Sequence, residues 1–119
     1  MAKKEPVEKF IRTAIGSAGT ISSIILLINK AIILLKESQL KPEMRAENNR
    51  RIRNILAQLQ LALNYSEGTS ADSLFSLYDY LYEEMLIGDD QSLASAERLL
   101  VQLKETFIEL KLKIIKARQ

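Results

Sequence analysis

Five carboxylates fall within the stretch from Asp79 to Asp90: Asp79, Glu83, Glu84, Asp89 and Asp90. They are the side chains here best suited to chemistry, because paired carboxylates can share a metal ion or divide acid and base roles. Asp79 and Glu83 are four residues apart and so lie on one face of a helix. The apolar residues around them, Leu74, Leu77, Tyr78, Leu81 and Met85, define the opposite face. Both carboxylates therefore point to solvent, whereas carboxylate metal bundles aim theirs inward and add Glu-x-x-His pairs. The sequence contains no His and no Cys. That removes disulfides, zinc fingers, a thiol nucleophile and an imidazole base. Gly16-x-x-Gly19 has no strand before it and makes no phosphate loop. No catalytic, cofactor-binding or metal-ligating set emerges, and the composition points to a binder rather than an enzyme.

The remaining polar concentrations are basic. Arg45, Arg50, Arg51 and Arg53 spread around several sides of one helix, with Glu43 and Glu47 among them. Net charge is only +2, and no nucleic-acid recognition motif accompanies the arginines. Nucleic acid is thus not an expected partner. Lys111, Lys113, Lys116 and Arg118 read as a solvated helix end that overhangs its neighbours. The run from Ile21 to Leu35 contains Asn29 and Lys30 and falls short of the roughly 20 apolar residues a membrane span requires. Lys3, Lys4, Glu5 and Glu8 do not resemble the start of a signal peptide, so a cytoplasmic location without stable membrane insertion is expected.

Elements that position these residues follow from the spacing of apolar side chains. The 119 residues are 47% apolar with four Gly and two Pro, a helix-rich composition for one domain over 1–119. A short helix is predicted over 6–15, with Val7, Phe10, Ile11, Ala14 and Ile15 on one face. Residues 16–19 then form a joint, and Thr20 is placed to cap a second helix from Ile21 to about Gln39. Pro42 closes that helix. A third runs from about Glu43 to Tyr65, with Ile52, Ile55, Leu56, Leu59 and Leu63 as its stripe. The turn Ser66-Glu67-Gly68 leads into a fourth helix, capped by Thr69 or Ser70 and ending at Ile87. Gly88 stops it, and Asp89 or Asp90 caps the last helix. There Leu93, Ala96, Leu100, Leu103, Phe107, Leu110 and Ile114 alternate three- and four-residue steps, a bundle seam. Short connections between long helices predict antiparallel neighbours. The expected fold is all-α: an antiparallel four-helix bundle over 20–117, with the 6–15 helix packed as an N-terminal cap.

The polar faces of these helices carry misplaced apolar residues. On the second helix Leu26 and Ile33 fall among Ser22, Ser23, Asn29, Lys30, Lys36 and Glu37. Tyr80 and Ile87 fall opposite the core stripe of the fourth helix, and Leu61 lies off the stripe of the third. Two covers are available for Leu26 and Ile33: the front helix, through Phe10, Ile11 and Ile15, or a groove occupied by another chain. Both hold if the front helix is displaceable.

The run Leu77-Tyr78-Asp79-Tyr80-Leu81-Tyr82 resembles the flagellin export chaperones, the FliS family, in which a Tyr-Asp-Tyr stretch lies on the third bundle helix. Leu63-Asn64 upstream, and Asp90, Leu100, Leu103 and Phe107 downstream, are similar to the family as well, so the likeness extends from Asn48 to Phe107. At the front the chain keeps the family's register but has Phe10 in place of Tyr, and Ser17-Ala18-Gly19-Thr20 in place of Thr-Ala-Ser-Pro. The resemblance implies a cytosolic bundle without cofactor that binds the C-terminal helical segment of flagellin, or of a related secreted subunit. Such binding prevents premature polymerisation and aids delivery to the membrane export gate. Client contacts are then expected at Leu26, Ile33, Leu61, Tyr80 and Ile87, with Phe10, Ile11 and Ile15 as the displaceable cap. The alternative is a self-associating structural bundle or adaptor, for which a homodimer through the same residues is expected.

Overall fold

The computed structural model describes residues 18–63 and 69–117. Among these the chain forms four α-helices: α1 (Ala18–Leu40), α2 (Arg45–Leu61), α3 (Thr69–Ile87) and α4 (Asp90–Ala117). The predicted cap helix, with Phe10, Ile11 and Ile15, lies outside the described residues, as does the turn 66–68.

α1 starts at Ala18, earlier than the expected Ile21. Ala18, Gly19 and Thr20 are therefore helical backbone, and Thr20 is not a cap that precedes the helix. Gly16 and Ser17, the rest of the expected joint, lie outside the described residues. At its other end α1 is closed as Pro42 predicts. Lys41 N–H donates to Glu37 O (2.8 Å) and a 3-10 turn over Pro42–Met44 leads into α2. Arg45 Nε donates to Ser38 O (3.0 Å), satisfying a carbonyl that the helix end leaves without an internal partner. Arg45 also pairs with Asp90, tying this corner to the start of α4. The second helix of the bundle, α2, is shorter than its periodicity predicts. It starts at Arg45 rather than Glu43 and ends at Leu61 rather than Tyr65. Leu63 keeps its place in the core, 6% exposed, after the chain has left the helix.

The α3–α4 corner follows its residue types. Gly88 adopts φ +65° and donates its N–H to Glu84 O (2.9 Å), the left-handed cap that favours glycine because a Cβ there is strained. Asp89 Oδ1 accepts from Ser92 N–H (2.7 Å). That bond, backbone contribution first, holds the Asp89 carboxyl below its usual value. Asp89 is thus the N-cap of α4.

Each helix runs antiparallel to the next. Asn48 Nδ2 of α2 donates to Leu34 O and Glu37 Oε1 of α1. Asn49 and Gln60 of α2 reach Met85 O and Phe75 O of α3, and Gln39 and Asn29 of α1 meet Glu97 and Lys104 of α4. α1 therefore packs between α2 and α4, and α3 stands diagonally across from it. Ile21, Ile28, Leu35, Ile52, Leu56, Leu59, Tyr78, Leu93 and Leu100 are fully buried at the centre. Leu103, expected in the core, is half-buried and packs at its edge. The last helix does not overhang: Leu110 and Ile114 are buried, and the register set by Asn29 and Lys104 brings Ile114 level with the first turns of α1.

Candidate functional site

All five expected client contacts are exposed: Leu26 71%, Ile33 59%, Leu61 83%, Tyr80 49% and Ile87 63%. The bundle does not gather them into one groove. Leu26 and Ile33 point outward from α1, while Tyr80 and Ile87 point outward from α3 on the diagonal helix, so the two pairs face away from each other. Leu61 stands at the far end of α2, level with the first turns of α3 and about 10 Å along the axis from Tyr80. One groove holding all five is ruled out by this geometry; a client touching all five has to wrap around the bundle.

What the structure does assemble is a longer apolar face between α1 and α4. A seven-residue step drifts only about 20° around a helix, so Leu26, Ile33 and Leu40 form one stripe, and Leu40 is 82% exposed. Leu40 was missed in the sequence, although it continues the same step. The stripe turns toward α4 as it rises. On α4 the flank facing α1 carries half-buried Val101 and Ile108 and exposed Leu112 and Ile115. In the antiparallel register Leu26 is level with Ile108, and Ile33 with Val101.

Polar groups punctuate this face without breaking it. Lys104 Nζ donates to Asn29 Oδ1 (2.7 Å) and Gln39 Nε2 to Glu97 Oε1 (2.6 Å), clamping the two helices beneath the stripe. At the upper end Lys36, Gln39, Leu40 and Glu97 line an open recess of about 260 Å³. Such a surface offers burial, not bond making: apolar side chains at helical spacing with a few amides and charges to fix register.

The Tyr-Asp-Tyr run divides its work by direction. Tyr78 is fully buried, Asp79 is solvated and Tyr80 is half exposed. Burial pushes the Tyr78 phenol well above its usual pKa, and its hydroxyl has no hydrogen-bond partner among the described residues. Asp79 and Glu83 are exposed as the wheel predicts. Phe75 and Leu86 were also missed. They are exposed on the flank of α3 that faces α2, a different side from Tyr80.

None of the described helices is long and apolar enough to cross a membrane. No curated protein matches the chain. The family model for flagellar protein FliS matches residues 5–113, which spans the four helices up to the last turn of α4 and the segment before them. The all-α four-helix bundle is consistent with that match, which is to a family of chaperones rather than enzymes. The chain belongs to the flagellar protein FliS family, the export chaperones of flagellum biogenesis.

Proposed function

We propose that this chain is a cytoplasmic, stoichiometric holder of the C-terminal helical segment of flagellin, or of a related secreted subunit. It prevents early polymerisation and hands the subunit to the export gate. The observation that carries this reading is the stripe Leu26–Ile33–Leu40, exposed along α1 beside the apolar flank of α4. An amphipathic client helix with apolar residues at three- and four-residue steps would fill it. Leu61, Tyr80 and Ile87 would then take further parts of a client that wraps the bundle.

The N-terminal segment is the displaceable cap in this reading. A helix over 6–15 would be about 15 Å long at 1.5 Å per residue. Folded back from Gly16, it reaches Leu26, about 12 Å along α1 from Ala18, but falls short of Ile33 at about 22 Å. Phe10, Ile11 and Ile15 would cover the lower part of the stripe and leave the upper part open as a foothold. Client affinity is then the difference between two burials.

A polymerisation assay tests the function. The chain at equimolar ratio should suppress seeded growth of flagellin filaments, and Leu26→Asp should relieve the suppression. Growth unaffected by the parent chain at that ratio would remove flagellin as the client.

A further inference from the structure

The arginines of α2 are not used by the apolar face. Arg45 is held by Asp90 and Arg50 by Glu47, while no carboxylate among the described residues lies within ion-pair distance of Lys30 or Arg51, Glu47 acting on Arg51 only at longer range. Lys30 and Arg51 converge from α1 and α2 on a recess of about 180 Å³. Arg50 and the amides of Asn54 and Gln58 complete its rim, and buried Ile55 forms its floor. We propose that this recess is a docking site for an acidic segment of a protein partner, bordering the Leu26–Ile33 stripe on its α2 side, away from the α4 flank that completes the client face.

Charge complementarity favours that occupant. From Ala18 to Lys36, and from Asn48 to Ala62, the two helices contain no Asp or Glu, yet carry Lys30, Lys36, Arg50, Arg51 and Arg53. α3, diagonal to α1, holds Asp72, Asp79, Glu83 and Glu84 with no Lys or Arg. The net charge of +2 conceals this separation. An acidic partner is drawn to the α1–α2 side and repelled by α3, which sets orientation as well as encounter rate. The rim from Arg50 to Gln58 spans about 12 Å along α2, the length of three or four extended residues. Arg51 offers a planar fork to a carboxylate, and the two amides can donate beside it. A nucleic-acid strand is the poorer fit. The recess holds no aromatic platform, and Glu47 and Glu43 close the upper end of the basic track.

The test is an NMR titration of the full ¹⁵N-labelled chain with hexaglutamate at low salt, with hexaglutamine and a six-nucleotide oligothymidylate as comparisons. Shifts should concentrate on the Asn54 and Gln58 side-chain amides and the backbone of 50–58. They should be absent with hexaglutamine. The pair Lys30→Glu, Arg51→Glu should weaken hexaglutamate binding at least about tenfold with an unchanged far-ultraviolet dichroism spectrum. Leu40→Ala, which shortens the apolar stripe about 15 Å along α1 from Lys30 without adding charge, should bind hexaglutamate like the parent and so separates this site from the client face. The proposal is overturned if shifts favour Lys111–Lys116, if the charge-reversed pair binds equally well, or if oligothymidylate binds the recess more tightly than hexaglutamate.

Discussion

Truncating Leu26 and Ile33 together to alanine should cost the client far more than it costs the fold. Full burial of a Leu or Ile side chain contributes about 1.5–3 kcal/mol. The fractions still exposed, 71% and 59%, leave roughly 1–2 kcal/mol for a client to gain at each residue. The double variant should therefore lose about 2–3 kcal/mol of binding, roughly 30- to 150-fold in Kd. The loss falls toward the lower end if the cap also rests on Leu26, since the variant then weakens the cap too. Stability should change by no more than about 0.5 kcal/mol, because neither side chain belongs to the core. Leu35→Ala, at a fully buried position of the same helix, should instead cost about 2–5 kcal/mol of stability. Calorimetric titration with the flagellin C-terminal segment, paired with thermal melts, reads both quantities. Affinity within about threefold of the parent would show that the client does not bury these two side chains, and a melting loss comparable to that of Leu35→Ala would show that the core does.

Deleting residues 2–15 should raise client affinity severalfold in the same titration, since release of the cap no longer opposes binding; unchanged or weaker affinity contradicts the cap. Gly88→Ala should destabilise by about 1–3 kcal/mol, because Gly88 sits at φ +65° and an added Cβ would lie 2.8 Å from Asn49 Nδ2. A denaturant melt measures it. Tyr78→Phe should be neutral or stabilising by up to about 1 kcal/mol, since the hydroxyl it removes is buried without a partner, whereas Tyr78→Ala should cost about 3–5 kcal/mol. Asp89→Ala should lower the melting temperature at neutral pH. The Asp89 carboxyl is held below its unfolded value by Ser92, so its contribution is present above the unfolded pKa and is lost as pH falls through the folded one. Melts of the two proteins should converge in strong acid.

The architecture was legible because the apolar stripes are long and regular. Ile52, Ile55, Leu56, Leu59 and Leu63 are all buried as spaced, and Gly88 and Asp89 act at the corner their residue types predict. Helix ends were less legible. Helical periodicity continues through Leu63, but the helix stops at Leu61 while the core still takes Leu63. Ala18-Gly19 reads as part of a joint and Thr20 as a cap from residue type, yet all three lie within the first turn of α1. Each helical wheel identified surplus apolar residues correctly, since all five are exposed. A wheel has no knowledge of its neighbours, however. That α1 and α3 are diagonal, and that Leu112 and Ile115 complete the face begun by Leu26 and Ile33, depends on the order of helices around the bundle. The recess of Lys30 and Arg51 was hidden for the same reason, because its two cations come from different helices.

Calorimetric titration of the flagellin C-terminal segment into the unmodified chain tests the central claim most directly. One-to-one binding at micromolar affinity or tighter is expected, with a negative heat-capacity change from apolar burial. No detectable binding at tens of micromolar would contradict it, and would leave the bundle without the client proposed for it.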